Sequence, residues 1–152
     1  MNIYMAGALF TAAEINFNTE LASYLRGKGH NVFLPQESEA AQRASAGTLA
    51  DPAGAIFESN RDAIDCCDVV LACIDGSDPD SGTSWEIGYG YASDKFIVCY
   101  RTDFRTWQGF DPVNLMLTEC AHDTIYLPGA DVLALALAID GTLTDLAQDI
   151  EP

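Results

Sequence analysis

The densest concentration of reactive side chains in the chain is the run Asp75-Gly76-Ser77-Asp78-Pro79-Asp80-Ser81-Gly82-Thr83-Ser84-Trp85-Glu86-Ile87-Gly88-Tyr89-Gly90. Its first part, crowded with Asp, Gly, Ser and Pro, reads as a loop, and Ser84 to Ser93 reads as a helix. Asp80 then lies on the loop, and Glu86 falls in about the first helical turn. A carboxylate there meets the positive end of the helix dipole and unpaired backbone N–H groups, which favour its ionised form. Ionised carboxylates are the nucleophiles that accept glycosyl groups. Gly82, Gly88 and Gly90 withdraw side chains from the surroundings, so a flat or ring-shaped ligand can approach the backbone. The plainer assignment makes Asp80 a loop cap and Glu86 an ordinary acid of a helix's first turn.

Other chemistries find less support. His30 and His122 stand apart from any Cys or His at metal-ligand spacing, so neither a metal nor a cofactor is expected. Gly7 stands alone where a dinucleotide-binding loop needs GxGxxG. Five cysteines, Cys66, Cys67, Cys73, Cys99 and Cys120, form an odd set without a CxxC pair, as expected of reduced core thiols.

The elements that must position these groups alternate. Asn2 to Ala6 is a short apolar run closed by Gly7, and Ala12 to Lys28 carries Ile15, Leu21, Ala22 and Leu25 at helical spacing. Gly27 and Gly29 stop that helix, and Asn31 to Leu34 is a second strand ended by Pro35. Glu37 to Thr48 has no large apolar residue and reads as a loop or weak helix. Asp51-Pro52 caps a helix to about Cys67, with Ile56, Phe57 and Ile64 on its buried face. Val69 to Ile74 and Phe96 to Tyr100 are continuous apolar strands of the kind buried on both faces. After a polar loop from Arg101 to Asp111, a helix is expected from about Pro112 to Ala121, a strand at Thr124 to Leu127, and a helix at Ala130 to Ile139 with a polar tail. This is an α/β pattern with a mainly parallel sheet, which fits one domain over residues 1–152. In such sheets ligands bind where the loops after the strands gather, here those after Ala6, Leu34, Ile74 and Tyr100.

Taken together, the ordered segments Ile3-Tyr4-Met5-Ala6-Gly7, Asp80-Ser81-Gly82-Thr83-Ser84-Trp85-Glu86-Ile87-Gly88-Tyr89 and Asn114-Leu115-Met116 resemble the nucleoside 2-deoxyribosyltransferases, a flavodoxin-like α/β family with helices on both faces of its sheet. The resemblance spans roughly Ile3 to Met116. It implies that Glu86 attacks the anomeric carbon, that Tyr4 orients the Glu86 carboxylate, and that Asp80 binds the deoxyribose 5'-hydroxyl. Phe10 and Met116 would flank base or sugar, Gln36 would contact the base, and Gly7 and Gly82 would line the substrate site. Asn114 would reach the site of a neighbouring subunit, which implies a homo-oligomer. One position departs from the family. Where well-known members carry an Asp that assists proton transfer to the base, this chain has Asn60, which can hydrogen-bond a base but cannot give up a proton at neutral pH. Either Asn60 only positions the base, or Asp62 takes the acid's part. Tyr4 and Phe10 also fit as core aromatics, and Met116 as core filler.

Composition narrows the partners. Seven Lys plus Arg stand against 23 Asp plus Glu, a net charge of −16 spread along the chain. Such a surface repels nucleic-acid polymers and anionic membranes, which leaves small molecules, here 2'-deoxynucleosides and nucleobases. The segment MNIYMAGALF lacks a basic leader and no apolar run approaches a bilayer-spanning length, so the cytoplasm is the expected compartment. Two other functions fit the same scaffold: an N-glycosidase of 2'-deoxynucleoside 5'-monophosphates, and a non-catalytic nucleotide-binding module.

Overall fold

A computed structural model describes residues 1–105 and 113–150. Five strands, β1 (Asn2–Ala6), β2 (Asn31–Phe33), β3 (Val69–Cys73), β4 (Phe96–Arg101) and β5 (Asp123–Tyr126), pair in parallel in the order β2-β1-β3-β4-β5. That order is flavodoxin-like. Alternation along each strand sends successive side chains to opposite faces. Ile3, Met5, Val69, Leu71, Val98 and Tyr100 meet Leu21, Ala22 and Leu25 of helix α1 (Ala12–Gly27) and Leu135, Ile139 and Leu143 of helix α6 (Val132–Ile150). Tyr4, Ala6, Val70, Ala72, Ile97 and Cys99 meet Ile64 of α3 (Pro52–Cys66) and Ile87 of α4 (Ser81–Ala92) on the other face. Each Val, Leu, Ile or Met buried here contributes about 1.5–3 kcal/mol of burial free energy. The helices therefore cover both faces, as the continuous apolar strands anticipate.

Because α1 leaves β1 toward one face and α4 leaves β3 toward the other, a crevice opens between the adjacent carboxyl ends of β1 and β3. Helix α1 starts with a capping box: Thr11 Oγ1 accepts from the Glu14 N–H at 3.3 Å, while the Glu14 carboxylate accepts from the N–H groups of Thr11 at 2.8 Å and Phe10 at 2.9 Å.

Several element bounds differ from expectation, each for a local reason. The Glu37 to Thr48 stretch forms a 3-10 turn at Pro35–Glu37 and a short helix α2 (Glu39–Ser45), because Ser38 caps the latter by accepting from the Ala41 N–H. Helix α4 begins three residues before the expected Ser84, since Asp80 accepts from the Thr83 N–H and so starts the helix at Ser81. The helix expected at Pro112 to Ala121 is a single turn, α5 (Leu115–Thr118), capped by Asn114; its expected start at Pro112 lies outside the described residues. Helix α6 runs through the polar tail to Ile150 rather than stopping at Ile139, carrying Leu143 into the core. On α3, Phe57 is half exposed and packs on Trp85 with ring centroids 5.5 Å apart, instead of joining the core with Ile64. All five cysteines are free, and Cys66 is exposed rather than a core thiol.

Candidate active site

Tyr4 stands in the middle of β1 and points to the α3/α4 face, fully buried and stacked on Phe33 with centroids 5.6 Å apart. Its hydroxyl donates to Glu86 Oε1 at 2.6 Å. A rigid strand and a helix packed on it thus fix a tyrosine and a carboxylate that lie 82 positions apart. Glu86 is the sixth residue of α4, because the helix begins at Ser81. It therefore sits in the second turn, beyond the free N–H groups, and the first-turn expectation with its dipole argument does not apply. Asp80 occupies that position instead, as the N-cap.

Electrostatics at Glu86 follow from this placement. Burial pushes its carboxyl from 4.5 up to about 7; the Tyr4 hydrogen bond works against the rise, and the nearby Asp80 charge adds to it. Tyr4 in turn is pushed far above the ordinary tyrosine range, chiefly by burial and then by the adjacent Glu86 charge. It remains a proton-bearing donor to the carboxylate. A carboxylate poised near neutral pH and oriented by a fixed donor is what nucleophilic or acid–base chemistry requires.

Asp80 also lines a cleft of about 380 Å³ at the crevice, together with Ala8, Asn18, Cys73, Asp75 and Thr102. Its Oδ2 accepts from Thr83 N–H at 3.0 Å. A Cβ at position 82 would lie 2.9 Å from that oxygen, so Gly82 leaves room for the cap itself. Gly90 serves packing: a Cβ there would sit 2.7 Å from Val70 Cγ2 and 3.1 Å from Ile97 Cδ1. The helix–sheet contact alone accounts for glycine at position 90, whereas at position 82 the close atom is the tip of the Asp80 side chain. At Gly7 a Cβ would find ordinary contacts, 3.4 Å from Cys73 Cβ, so packing does not demand glycine there.

The remaining site residues divide into anchored and open ones. Gln36 is tied to α1, its Nε2 donating to Ile15 O and Thr19 Oγ1, both at 2.9 Å. Its Oε1 accepts from Asn18 Nδ2 at 3.4 Å, and the same amide donates to Ala8 O at 2.9 Å. Asn18, buried among α1's apolar residues, is a cleft residue that sequence reading overlooked. Asparagine inside an apolar helical face was the available signal. Phe10 is 75% exposed beside the α1 cap. Asn60 Oδ1 on α3 is buried with no hydrogen-bond partner among the described residues. Asp62 is exposed and paired with Arg61 at 2.6 Å, directed outward. Asn114 and Met116 sit exposed on α5, Met116 at 71%. Tyr4, Glu86 and Asp80 form one group, and the α5 turn that carries Met116 packs against α4, with Leu117 set against the core that holds Tyr4.

Comparison with known proteins adds independent findings. The family model described as nucleoside 2-deoxyribosyltransferase matches residues 3–131. A 2-desoxiribosyltransferase from Leishmania mexicana is 25% identical, covering 90% of this chain and 95% of its own, with a TM-score of 0.62. A conserved protein from Enterococcus faecalis V583 is 24% identical over 93% of this chain and 98% of its own, with a TM-score of 0.73. A CMP N-glycosidase from Clostridium botulinum shares the fold at 18% identity and a TM-score of 0.55, over 92% of this chain and 99% of its own. Curated proteins yield no match.

Proposed function

The chain belongs to the nucleoside 2-deoxyribosyltransferase family, and on that basis we propose that it moves 2-deoxyribose between nucleobases through a covalent intermediate on Glu86. The observation that carries the reading is the 2.6 Å bond between Tyr4 Oη and Glu86 Oε1, on a half-buried carboxylate with Asp80 close by.

The chemistry balances without redox change. A Glu86 carboxylate oxygen attacks the anomeric carbon as the bond to the base nitrogen breaks, and the electron pair leaves with the base, which takes a proton from solvent. The negative carboxylate first stabilises the oxocarbenium-like charge and then forms the ester. A second base attacks the same carbon from the face the first one left, its N–H proton passing to solvent, which restores the carboxylate with retained configuration; water attacking instead, and likewise losing a proton, gives hydrolysis. Tyr4 keeps the attacking carboxylate oriented, and its donor bond is strongest to the ionised form. Asp80 accepts from the 5'-hydroxyl of the sugar. Asn60, with its carbonyl oxygen unpartnered, accepts from an N–H of the base; Asp62, turned outward to Arg61, takes no part. Phe10 and Met116 supply apolar surface to base or sugar, and Asn114 with Met116 extends to the site of a second copy in a homo-oligomer. Gly7 lies at the start of the crevice loop, and Gln36 ties the turn after β2 to α1, where Asn18 links it to Ala8 of that loop.

Free nucleosides fit better than nucleotides. Asp80 and Asp75 both line the cleft, and like charges there cost a phosphate dianion several kcal/mol where solvation is poor. The decisive assay offers deoxyinosine or thymidine with adenine and cytosine as acceptors, and repeats it with the donor's 5'-monophosphate. Base exchange from the nucleoside, absent from Glu86→Ala, is the expected result. Exchange by Glu86→Ala, or cleavage of the monophosphate alone, overturns the reading.

A further inference from the structure

The loop that delivers Asp80 is held at its other end by a set of charged side chains that the reaction itself does not use. Arg101, the last residue of β4, is only 2% exposed, and its guanidinium is spent mainly on backbone carbonyls. Its Nη1 donates to Ile74 O at 2.5 Å and to Gly76 O at 3.0 Å, while Nη2 lies 3.7 Å from Asp103 Oδ2. The Asp103 carboxylate accepts from the Gly76 N–H at 3.1 Å and from Arg105 Nε at 2.8 Å. In the opposite direction Asp75 accepts from Thr102 N–H at 2.7 Å, Thr102 Oγ1 at 2.6 Å and Asp103 N–H at 2.8 Å. Two loops thus clasp each other, each contributing an aspartate that binds the other's backbone.

Gly76 is the hinge of this arrangement. Its φ of +103° lies in the region that favours glycine, and both its N–H and its C=O are taken by the clasp. Four residues later the chain reaches Asp80, with Pro79 stiffening the last step. Burying a guanidinium is a costly way to stabilise the end of a strand, and an apolar side chain of similar size would serve at least as well. What a guanidinium offers instead is directed donors that fix two carbonyls at once.

Resting on the function proposed above, we propose that Arg101, Asp103 and Asp75 are positioning residues that set Asp80 against the 5'-hydroxyl of the substrate. They act through Asp80, so they influence a substrate only insofar as it carries the group that Asp80 holds.

The test compares a 2'-deoxynucleoside with its 2',5'-dideoxy counterpart, which lacks that hydroxyl, in the full-length wild type and in Asp103→Ala, Asp103→Asn and Thr102→Val. A hydrogen bond to a charged group makes the wild type favour the 5'-hydroxyl substrate in kcat/KM by about tenfold to a hundredfold. In Asp103→Ala this preference falls to about threefold or less, because the deoxynucleoside loses rate while the dideoxy substrate keeps most of its own. Thr102→Val, a milder change that keeps the fold, lowers the preference part of the way, and Asp103→Asn, which retains an acceptor for the Gly76 N–H, restores most of it. Equal losses on both substrates, or an unchanged preference in the variants, refute the clasp alone. A wild type that exchanges bases with no preference for the hydroxyl refutes the role of Asp80 and the clasp with it, and a wild type with no exchange refutes the function itself.

Discussion

Replacing Glu86 with Gln should make the protein more stable in alkaline buffer, an inference that follows from the site's electrostatics alone. The folded chain holds a proton on Glu86 up to about pH 7, whereas the ordinary value is 4.5. Between those limits the folded state binds more protons than the unfolded one, so stability falls as pH rises, by about 1.4 kcal/mol per pH unit, and then levels off above about 7. Because the side chain is only half-buried, the full fall is discounted to about 2 kcal/mol. Gln has nearly the same shape, can accept from Tyr4 Oη, and never ionises. At about pH 4 both proteins are neutral at this position and differ by less than about 1 kcal/mol; at about pH 9 the variant is the more stable by about 2 kcal/mol, which raises the melting temperature by about 4–8 °C. Thermal unfolding of both proteins across that range at fixed ionic strength measures the difference, in which the other 22 acidic residues cancel. A difference independent of pH would refute the claim that burial holds this carboxyl near neutrality.

Further outcomes follow from the neighbours of Glu86. Tyr4→Phe removes the donor that favours the ionised carboxylate, so the acid limb of the kcat/KM profile should move above about 7; a limb that stays in place contradicts the role of the hydroxyl. Asp80→Asn removes a nearby negative charge and should move the same limb downward while raising KM for deoxynucleosides; pH–rate profiles with matched substrates detect both effects. Gly90→Ala drives a methyl to within 2.7 Å of Val70 Cγ2 and should cost about 1–3 kcal/mol in urea unfolding, with exchange activity per folded molecule little changed.

Much of this architecture is legible in the chain, because its signals are local. Continuous apolar strands such as Val69–Cys73 and the glycine stops after α1 report the parallel sheet directly, and their bounds differ from expectation by only a residue or so. Errors arise where a side chain decides a boundary. Asp80 capping Thr83 moves the start of α4 back to Ser81, and that small change carries Glu86 from the first turn to the second. Its electrostatics change accordingly, from stabilisation by the helix end to a rise caused by burial. Long-range pairings were equally hidden: nothing near Arg101 in sequence tells that its guanidinium binds the carbonyls of Ile74 and Gly76. The glycines around Glu86 show a related ambiguity, since a missing side chain serves a ligand, a cap or a helix–sheet contact equally well. For Gly90 the neighbours Val70 and Ile97 identify the helix–sheet contact.

The central claim is that one carboxylate becomes bonded to the sugar. It is tested most directly by incubating the protein with a 2'-deoxynucleoside whose 2'-fluoro substituent slows departure of the sugar, and then recording intact mass and peptide fragmentation. The expected result is a mass increase of one fluorinated deoxypentosyl unit localised to the peptide containing Glu86, lost when an acceptor base is added and absent from Glu86→Gln. An adduct on any other residue, or efficient base exchange while the protein's mass never changes, would contradict it.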